Sequence, residues 1–130
     1  MNCFTYLIER KLVEMTKVFI ADEIPAIAMK QLKAAGLEVS VYQNKSHLIT
    51  HEELLMQVKD IDYLITALST QVDQEIIDAA PKLKLIANYG AGFNNIDVAY
   101  AAKKGIPVTN TPKVSTNSVA EVTPGLMLAL

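Results

Sequence analysis

The sequence predicts an α/β domain built on a parallel, doubly wound sheet of five strands. Five short β-type runs alternate with five helical stretches, which is the order that repeated strand–helix–strand units produce. The third and fourth runs lack clean polar alternation, as expected for strands that helices cover on both faces. The length of 130 residues fits one domain that can bury a real core.

The strands are predicted from short runs that are either apolar or alternate between apolar and polar residues. KVFIA opens the fold, EVSVY alternates as a strand with one face toward solvent, and DYLITA and KLIANY are mostly apolar. The five predicted strands are 17–21, 38–42, 62–67, 84–89 and 107–110.

The helices are predicted from their start and stop signals. Pro25 opens the first helix and Gly36 ends it. Asp73 and Asp97 can each accept a hydrogen bond from a free amide of a first turn. Asp97, like Glu121 of the last helix, is expected to be a capping residue rather than a catalytic acid.

Two capping boxes predict the remaining helices, because a hydroxyl and a carboxylate three residues apart can satisfy each other's backbone amides. Thr50 with Glu53 starts a helix that runs to about residue 59, and Ser118 with Glu121 starts the last one. Pro124 lies about six residues beyond that start, where it removes a helix hydrogen bond at a cost of ~3 kcal/mol. We therefore expect the last helix to be interrupted.

Composition narrows the class of protein. Hydrophobic residues make up 51% of the chain and the formal net charge is -2, without a basic run, so neither nucleic acid nor a membrane is an expected partner. Cys3 is the single cysteine, which favours a reducing, cytoplasmic location.

Residues 1–16 are expected to be an extension outside the fold, and 17–130 to be the domain. The apolar stretch PGLMLAL lacks a polar end, so the domain is expected to be cut within a helix.

The least ordinary segments follow the third, fourth and fifth strands. Ligands of open α/β sheets bind beyond the carboxyl ends of the strands, and here those ends carry Leu68-Ser69-Thr70, Gly90-Ala91-Gly92 and Asn110-Thr111. Successive amides in the glycine loop can point at one small anion such as a carboxylate. The alternative is an ordinary turn in which the glycines supply φ > 0. The hydroxyls of Ser69 and Thr70 are also explained by a turn.

Other polar residues give weaker signals. Asn94 and Asn95 can hydrogen-bond a substrate or form the turn before Asp97. His47 and His51 stand four residues apart, but no further ligand completes a zinc site, so no metal is expected. Neither histidine has an obvious carboxylate partner in the sequence.

The combined motifs resemble a known family. NYGAGFNNIDVAYAAKKGIPVTNTP, followed by VSTNSVAE, is similar to the signature region of D-isomer-specific 2-hydroxyacid dehydrogenases, which include glyoxylate/hydroxypyruvate reductases and phosphoglycerate dehydrogenases. The resemblance extends back through LITALSTQVDQEIIDAAPKLKLI to KVFIADEIP, and so covers nearly all of 17–130.

The resemblance implies a flavodoxin-like substrate-binding domain of an NAD- or NADP-dependent oxidoreductase. By position, Ala91 and Gly92 would hold the carboxylate of a small 2-oxo or 2-hydroxy acid, with Leu68 and Ser69 in support. Thr70 matches a position that touches the nicotinamide cofactor. The family's Rossmann domain, with its cofactor fingerprint and catalytic residues, has no counterpart here, so no catalytic residue is assigned in this chain.

Two functions therefore stay open: a truncated dehydrogenase, or a stand-alone module that binds small 2-oxo and 2-hydroxy acids without catalysis. In either case the apolar tail around Leu126 and Leu128 favours self-association if it stays exposed.

Overall fold

The computed structural model describes residues 15–44, 46–113 and 116–129. The strands are β1 (Lys17–Ile20), β2 (Glu38–Val41), β3 (Tyr63–Ala67), β4 (Leu85–Tyr89) and β5 (Val108–Thr109). The helices are α1 (Ala26–Ala34), α2 (His51–Gln57, extended by a 3-10 turn over Val58–Asp60), α3 (Gln74–Asp78), α4 (Val98–Lys103) and α5 (Thr116–Leu128). Each strand agrees with its predicted range to within one residue at either end.

The strands form one sheet in the order β2-β1-β3-β4-β5, and every neighbouring pair is parallel. This is the flavodoxin-like order, so the predicted fold class is confirmed. The chain leaves β1 toward β2 and then returns past β1 to β3, and the direction of winding reverses between these two neighbours. The crevice beyond their carboxyl ends is where folds of this kind bind ligands.

The main core lies on one face of the sheet, under α2, α3 and α4. Leu64 and Ile86 point into it from the two central strands and are completely buried. Leu54, Ile76 and Ala101 meet them from the three helices and are at most 1% exposed. This face therefore supplies most of the apolar burial that stabilises the domain.

The opposite face carries only α1 among the described elements, and this corrects one expectation. Burial alternates along β3 and β4, so that Leu64 and Ile86 are buried while Ile65 and Ala87 are only partly covered. The two strands were expected to have helices on both faces. Their apolar character instead reflects a second face that is apolar but largely open.

Three of the predicted helix starts are confirmed by their hydrogen bonds. Thr50 and Glu53 form the complete capping box. Asp73 accepts from the amide of Ile76 at 3.0 Å, and Asp97 accepts from that of Tyr100 at 2.9 Å. Each N-cap satisfies an amide that has no partner inside its helix.

The prediction for the last helix was wrong in two respects. Helix α5 already includes Thr116, so Ser118 lies inside it and cannot be its N-cap. The helix also continues past Pro124 to Leu128. Every described residue of α5 is exposed, and water can therefore solvate the carbonyl that Pro124 leaves without a partner. The Thr123 hydroxyl donates to the Val119 carbonyl one turn back, at 2.7 Å.

Most of the predicted extension over 1–16 lies outside the described residues, which begin at residue 15. The Thr16 carbonyl accepts a hydrogen bond from the amide of Glu38 at 3.0 Å, so contact with β2 begins one residue before the predicted domain. None of the helices in the described ranges is long and apolar enough to cross a membrane.

Candidate functional site

The loops that follow β3 and β4 are in direct contact at the carboxyl edge of the sheet. A Cβ placed on Gly90 would lie 2.7 Å from Cγ of Leu68, whereas one on Gly92 would lie 3.5 Å from Cδ2 of the same side chain. Gly90 is thus required for the close approach of Leu68. It is not required for φ > 0, because the glycines with positive φ in the described ranges are Gly36 and Gly105. The alternative based on a left-handed turn is therefore wrong.

A buried asparagine on β4 shapes the glycine loop from below. Asn88 is 2% exposed, and its carbonyl oxygen accepts from the Thr66 hydroxyl on β3 at 3.0 Å. Its amide donates to the Gly92 carbonyl at 2.6 Å. Through these two hydrogen bonds the side chain connects both central strands to the loop, and the Gly92 carbonyl is directed toward Asn88.

A second buried asparagine joins the two loops to each other. Asn95 is 6% exposed, and its amide donates to the Ala67 carbonyl at 3.1 Å and to the Thr70 carbonyl at 2.8 Å. Asn95 was expected either to contact a substrate or to form a turn. Its hydrogen bonds assign it to the structure of the site, where it fixes the loop after β3 against the loop after β4.

The segment that follows β5 holds the remaining carbonyls of the glycine loop. The Asn110 side-chain amide donates to the Ala91 carbonyl at 2.7 Å, and the Thr111 amide donates to the Gly90 carbonyl at 3.0 Å. With the bond from Asn88 to Gly92, three successive loop carbonyls are engaged by the domain itself. None of these oxygens is then left to repel an anion bound at the loop.

Whereas these carbonyls are hydrogen-bonded, several backbone amides of the same loops have no partner among the described residues. Leu68, Ser69, Ala91 and Gly92 are exposed, and their backbone N–H groups donate no hydrogen bond to any described residue. Free amides beside engaged carbonyls form a donor surface that suits a small carboxylate. The structure thus brings the four predicted substrate-binding residues to one edge of the sheet.

Ser69 has an additional contact across the sheet's switch point. Its hydroxyl donates to Oδ2 of Asp22 at 2.8 Å, which joins the carboxyl ends of β1 and β3. Asp22 also lines a crevice of about 850 Å³ with Tyr42 and His47. The crevice therefore adjoins the loop that carries Ser69.

Thr70 is the predicted cofactor contact, and it lies just behind the donor surface. The residue is only 3% exposed, its amide donates to the Ala67 carbonyl at 3.1 Å, and its own carbonyl accepts from Asn95. A cofactor could meet only the small part of Thr70 that stays accessible.

Sequence reasoning missed two residues of the site, Asn88 and Asp22, and it placed Asn110 at the crevice without its contact to Ala91. Only Asn88 gave a usable signal. An asparagine inside an apolar strand is buried if the strand is buried, and a buried amide requires partners. The contacts of Asn110 and Asp22 join segments that are 19 and 47 residues apart, so neither is visible in a local pattern.

His47 lines the crevice with Asp22, whereas His51 lies in the first turn of α2. One expectation about the two histidines was wrong. His51 contacts Asp73 with Nε2 to Oδ2 at 2.9 Å, so it does have a carboxylate partner. His47 contacts the side chain of Asn44 at 2.8 Å. The described part of the chain contains no group of three or more side chains suited to hold a metal.

The fold and the exposed amides define a class of protein: a flavodoxin-like α/β domain with free backbone amides beyond the carboxyl ends of its strands. Sequence comparison then places the chain within that class. The family model for the catalytic domain of D-isomer specific 2-hydroxyacid dehydrogenases matches residues 18–123. The chain belongs to this family, as its motifs indicated.

Individual relatives agree with this assignment. The chain is 54% identical over 116 residues to a protein of Staphylococcus saprophyticus named as a 2-hydroxyacid dehydrogenase, covering 89% of this chain and 36% of the relative. It therefore spans about a third of that relative's length.

Solved structures show the same partial coverage. The TT0316 protein of Thermus thermophilus is 35% identical with a TM-score of 0.81, over 88% of this chain and 36% of that one. The NAD+-bound 3-phosphoglycerate dehydrogenase of Entamoeba histolytica is 33% identical with a TM-score of 0.68, over 87% and 38%. The NADPH-dependent glyoxylate/hydroxypyruvate reductase of Sinorhizobium meliloti, in complex with NADP and malonate, is 28% identical with a TM-score of 0.66, over 88% and 34%.

Proposed function

We propose that this chain supplies the substrate-carboxylate site of an NAD- or NADP-dependent oxidoreductase that acts on the CH–OH group of D-2-hydroxy acids. The observation that carries the proposal is the set of free amides at Leu68, Ser69, Ala91 and Gly92, beside carbonyls that the domain engages. A carboxylate can accept several such hydrogen bonds, which are stronger than those of a neutral acceptor.

The position of the reacting carbon in this class of substrates also fits the surface. A 2-oxo or 2-hydroxy acid places its reacting carbon next to the carboxylate, so fixing the carboxylate also fixes the carbon that exchanges hydride. Thr70 would face the nicotinamide from behind the loop. Among the relatives, one structure is named with NAD+ and another with NADP, and the proposal includes both nucleotides.

Binding is tested by a pair of substitutions that differ in one N–H group. Gly92→Pro removes the amide, whereas Gly92→Ala keeps it and places its Cβ at an ordinary 3.5 Å from Leu68. Saturation-transfer NMR with oxamate should show contact with the wild-type and Gly92→Ala chains, with affinity in the millimolar range, which needs only ~4 kcal/mol. The contact should be much weaker with Gly92→Pro. Equal contact in all three would contradict the proposal, provided circular dichroism shows that each is folded.

Turnover is expected to require more than this chain. We propose that the residues of this chain do not reduce 2-oxo acids alone, because they contain no G-x-G-x-x-G fingerprint and the donor surface includes no acid–base side chain. The test is NADH consumption with glyoxylate, hydroxypyruvate or pyruvate. Turnover that survives repurification would contradict this part.

The second candidate function is a stand-alone module that binds small 2-oxo and 2-hydroxy acids. It is favoured by the donor surface, whose four residues all belong to this chain and lie on the loops after β3 and β4. Oxamate binding without any response to NADH would support the module. Tighter oxamate binding in the presence of NADH would support the dehydrogenase.

Three further parts of the proposal concern the location of the chain, its self-association and the bounds of its domain. The single cysteine supports a cytoplasmic location. The exposed apolar side chains of α5 support self-association of the chain. We also propose that residues 17–130 are the substrate-binding domain and that the residues before them are an extension.

A further inference from the structure

The crevice lined by Asp22 lies next to the donor surface, at the carboxyl ends of β1 and β2. Its edge is marked by the hydrogen bond from the Ser69 hydroxyl to Oδ2 of Asp22, so Ser69 belongs to the donor surface through its amide and borders the crevice through its side chain. The volume of about 850 Å³ is far larger than the substituent of a small 2-hydroxy acid. The crevice therefore has room for the part of a substrate that extends away from a bound carboxylate.

Hydrogen bonds fix the direction of the Ser69 hydroxyl group. Both oxygens of the Asp22 side chain act as acceptors, Oδ2 for this hydroxyl at 2.8 Å and Oδ1 for the backbone amide of Glu23 at 2.7 Å. Because the Ser69 proton points at Asp22, the hydroxyl oxygen offers only its lone pairs to a ligand. Ser69 is exposed, and a ligand group that donates a hydrogen bond can reach this oxygen.

The charge of the crevice disfavours a second anionic group on the ligand. The described residues of its lining include two carboxylates, Asp22 and Glu23, but neither lysine nor arginine. His47 accepts a hydrogen bond at Nε2 from the side-chain amide of Asn44 at 2.8 Å, so this nitrogen carries no proton in the structure. Like charges repel each other more strongly in a partly enclosed crevice than in bulk water. An anionic substituent therefore meets repulsion there without a compensating cation among the described lining residues.

We propose that Asp22 and Ser69 select substrates whose third carbon carries an uncharged hydrogen-bond donor, and that they reject substrates with a second anionic group at that carbon. The inference rests on the proposed function, because it takes the substrate carboxylate to be held by the donor surface. From there the third carbon extends into the crevice beside Ser69. A hydroxyl group on this carbon donates to the Ser69 oxygen, whereas a carboxylate or phosphate in the same place faces the Asp22 carboxylate.

The test compares three ligands that differ only at the third carbon. D-Lactate carries a methyl group there, D-glycerate a hydroxymethyl group and tartronate a second carboxylate. Binding to the nitrogen-15-labelled full chain is followed by the amide shifts of Leu68, Ser69, Ala91 and Gly92, at constant low ionic strength and at pH 8, where imidazole groups are ordinarily neutral. Glycerate against lactate reports the hydroxyl contact, and tartronate against lactate reports the charge.

Three variants separate these two effects from a general change in the loops. Asp22→Asn removes the charge and keeps a side chain of nearly the same shape. Ser69→Ala removes the acceptor oxygen but keeps the backbone amide. Glu38→Gln is the matched control, because it also removes one negative charge, and Glu38 begins β2 at the edge of the sheet opposite to the crevice. Circular dichroism confirms that each variant is folded.

The wild-type chain and Glu38→Gln should bind glycerate at least about threefold more tightly than lactate, the effect of one net hydrogen bond. Both should bind tartronate at least about fivefold more weakly than lactate. In Asp22→Asn this second difference should shrink to within about twofold, since the repelling charge is gone. In Ser69→Ala glycerate and lactate should bind equally. High salt should reduce the tartronate difference in the wild-type chain, which measures the charge effect without any substitution.

Three results would overturn the inference and leave the proposed function in place. Tartronate that binds the wild-type chain as tightly as lactate would show that the third carbon does not face Asp22. A tartronate difference that survives in Asp22→Asn would mean that the repulsion has another source. Glycerate that binds no more tightly than lactate would exclude the contact with Ser69. If none of the three ligands shifts the four amides, the inference fails together with the proposed function.

Discussion

Asn88 and Asn95 determine the geometry of the site at the scale of single residues, although neither belongs to the donor surface. Asn88 engages the Gly92 carbonyl and the Thr66 hydroxyl, and Asn95 engages the Ala67 and Thr70 carbonyls. Both side chains are buried, where hydrogen bonds are stronger and where the loss of a partner costs more. The Ala67 carbonyl shares its planar, trans peptide unit with the Leu68 amide, so the bond from Asn95 to this carbonyl directs the Leu68 N–H away from Asn95.

Replacing Asn88 should therefore destabilise the whole domain. Asn88→Ala leaves the Gly92 carbonyl and the Thr66 hydroxyl without this partner, which costs about 1–3 kcal/mol. Urea denaturation measures the loss. Asn94→Ala is the control, because Asn94 is exposed and forms no side-chain hydrogen bond within the described ranges, and it should change stability by less than about 0.5 kcal/mol. Equal effects of the two substitutions would contradict the role of Asn88.

Gly90 supports a second prediction, which tests contact between the two loops. Gly90→Ala forces Leu68 to move, since its Cβ would lie 2.7 Å from Leu68 Cγ. Leu68 is 53% exposed and can rotate toward solvent, so the loss should be of order 1 kcal/mol. In the double-mutant cycle with Leu68→Ala this loss should disappear, because the clashing atoms are gone. Additive effects would show that the loops do not meet there.

At the scale of elements, local signals were reliable where a helix start is decided by its own residues. Thr50, Asp73 and Asp97 cap helices as predicted because each bond closes within three residues. The last helix was not predictable in this way. The pattern Ser118 to Glu121 also fits a helix interior. Thr116 and Asn117 are N-cap residue types just as Ser118 is, so the sequence offers several competing starts.

Pro124 provides a prediction for α5. Pro124→Ala restores the hydrogen bond to the Ala120 carbonyl in an exposed helix and removes a residue that is ~3 kcal/mol less favourable there. Circular dichroism should show more helix. The urea midpoint of the domain should stay the same, because α5 buries none of its described residues. A shift of that midpoint would mean that α5 packs on the core.

At the scale of the whole molecule, the parallel, doubly wound sheet and the ranges of its strands were predicted from the sequence, but the coverage of the sheet was not. The apolar runs of β3 and β4 predict burial without saying which face is buried. One face packs under three helices, while the other exposes a groove around Ile65 and Ala87. The hydrogen bonds of Asn110 and Asp22 were likewise unpredictable, since they depend on which strands become neighbours.

The charge pattern of the whole domain predicts its acid sensitivity. Asp60 pairs with Lys17 and Lys82, and these ammonium groups lower its pKa from 3.8 to about 2. A carboxylate with a lowered pKa in the folded state contributes stability above its unfolded pKa, and this contribution is lost as the pH falls toward the folded value. Stability should therefore decrease between about pH 4 and pH 2.

Asp60→Asn isolates this contribution. The variant should be less stable than wild type at neutral pH and should lose less stability between pH 4 and pH 2, with a difference that shrinks in high salt because all three groups are solvent-exposed. Glu52→Gln removes a charge from an exposed carboxylate in the first turn of α2 and serves as control. An unchanged acid profile in Asp60→Asn would contradict the assignment.

The central claim is that the free amides after β3 and β4 bind the carboxylate of a 2-oxo acid. The most direct measurement is a titration of the nitrogen-15-labelled chain with oxamate, followed by amide chemical shifts. The claim predicts that the amides of Leu68, Ser69, Ala91 and Gly92 move first and move together, with one dissociation constant in the millimolar range. Shifts concentrated around His47 and Tyr42 instead, with these four amides unmoved, would contradict it.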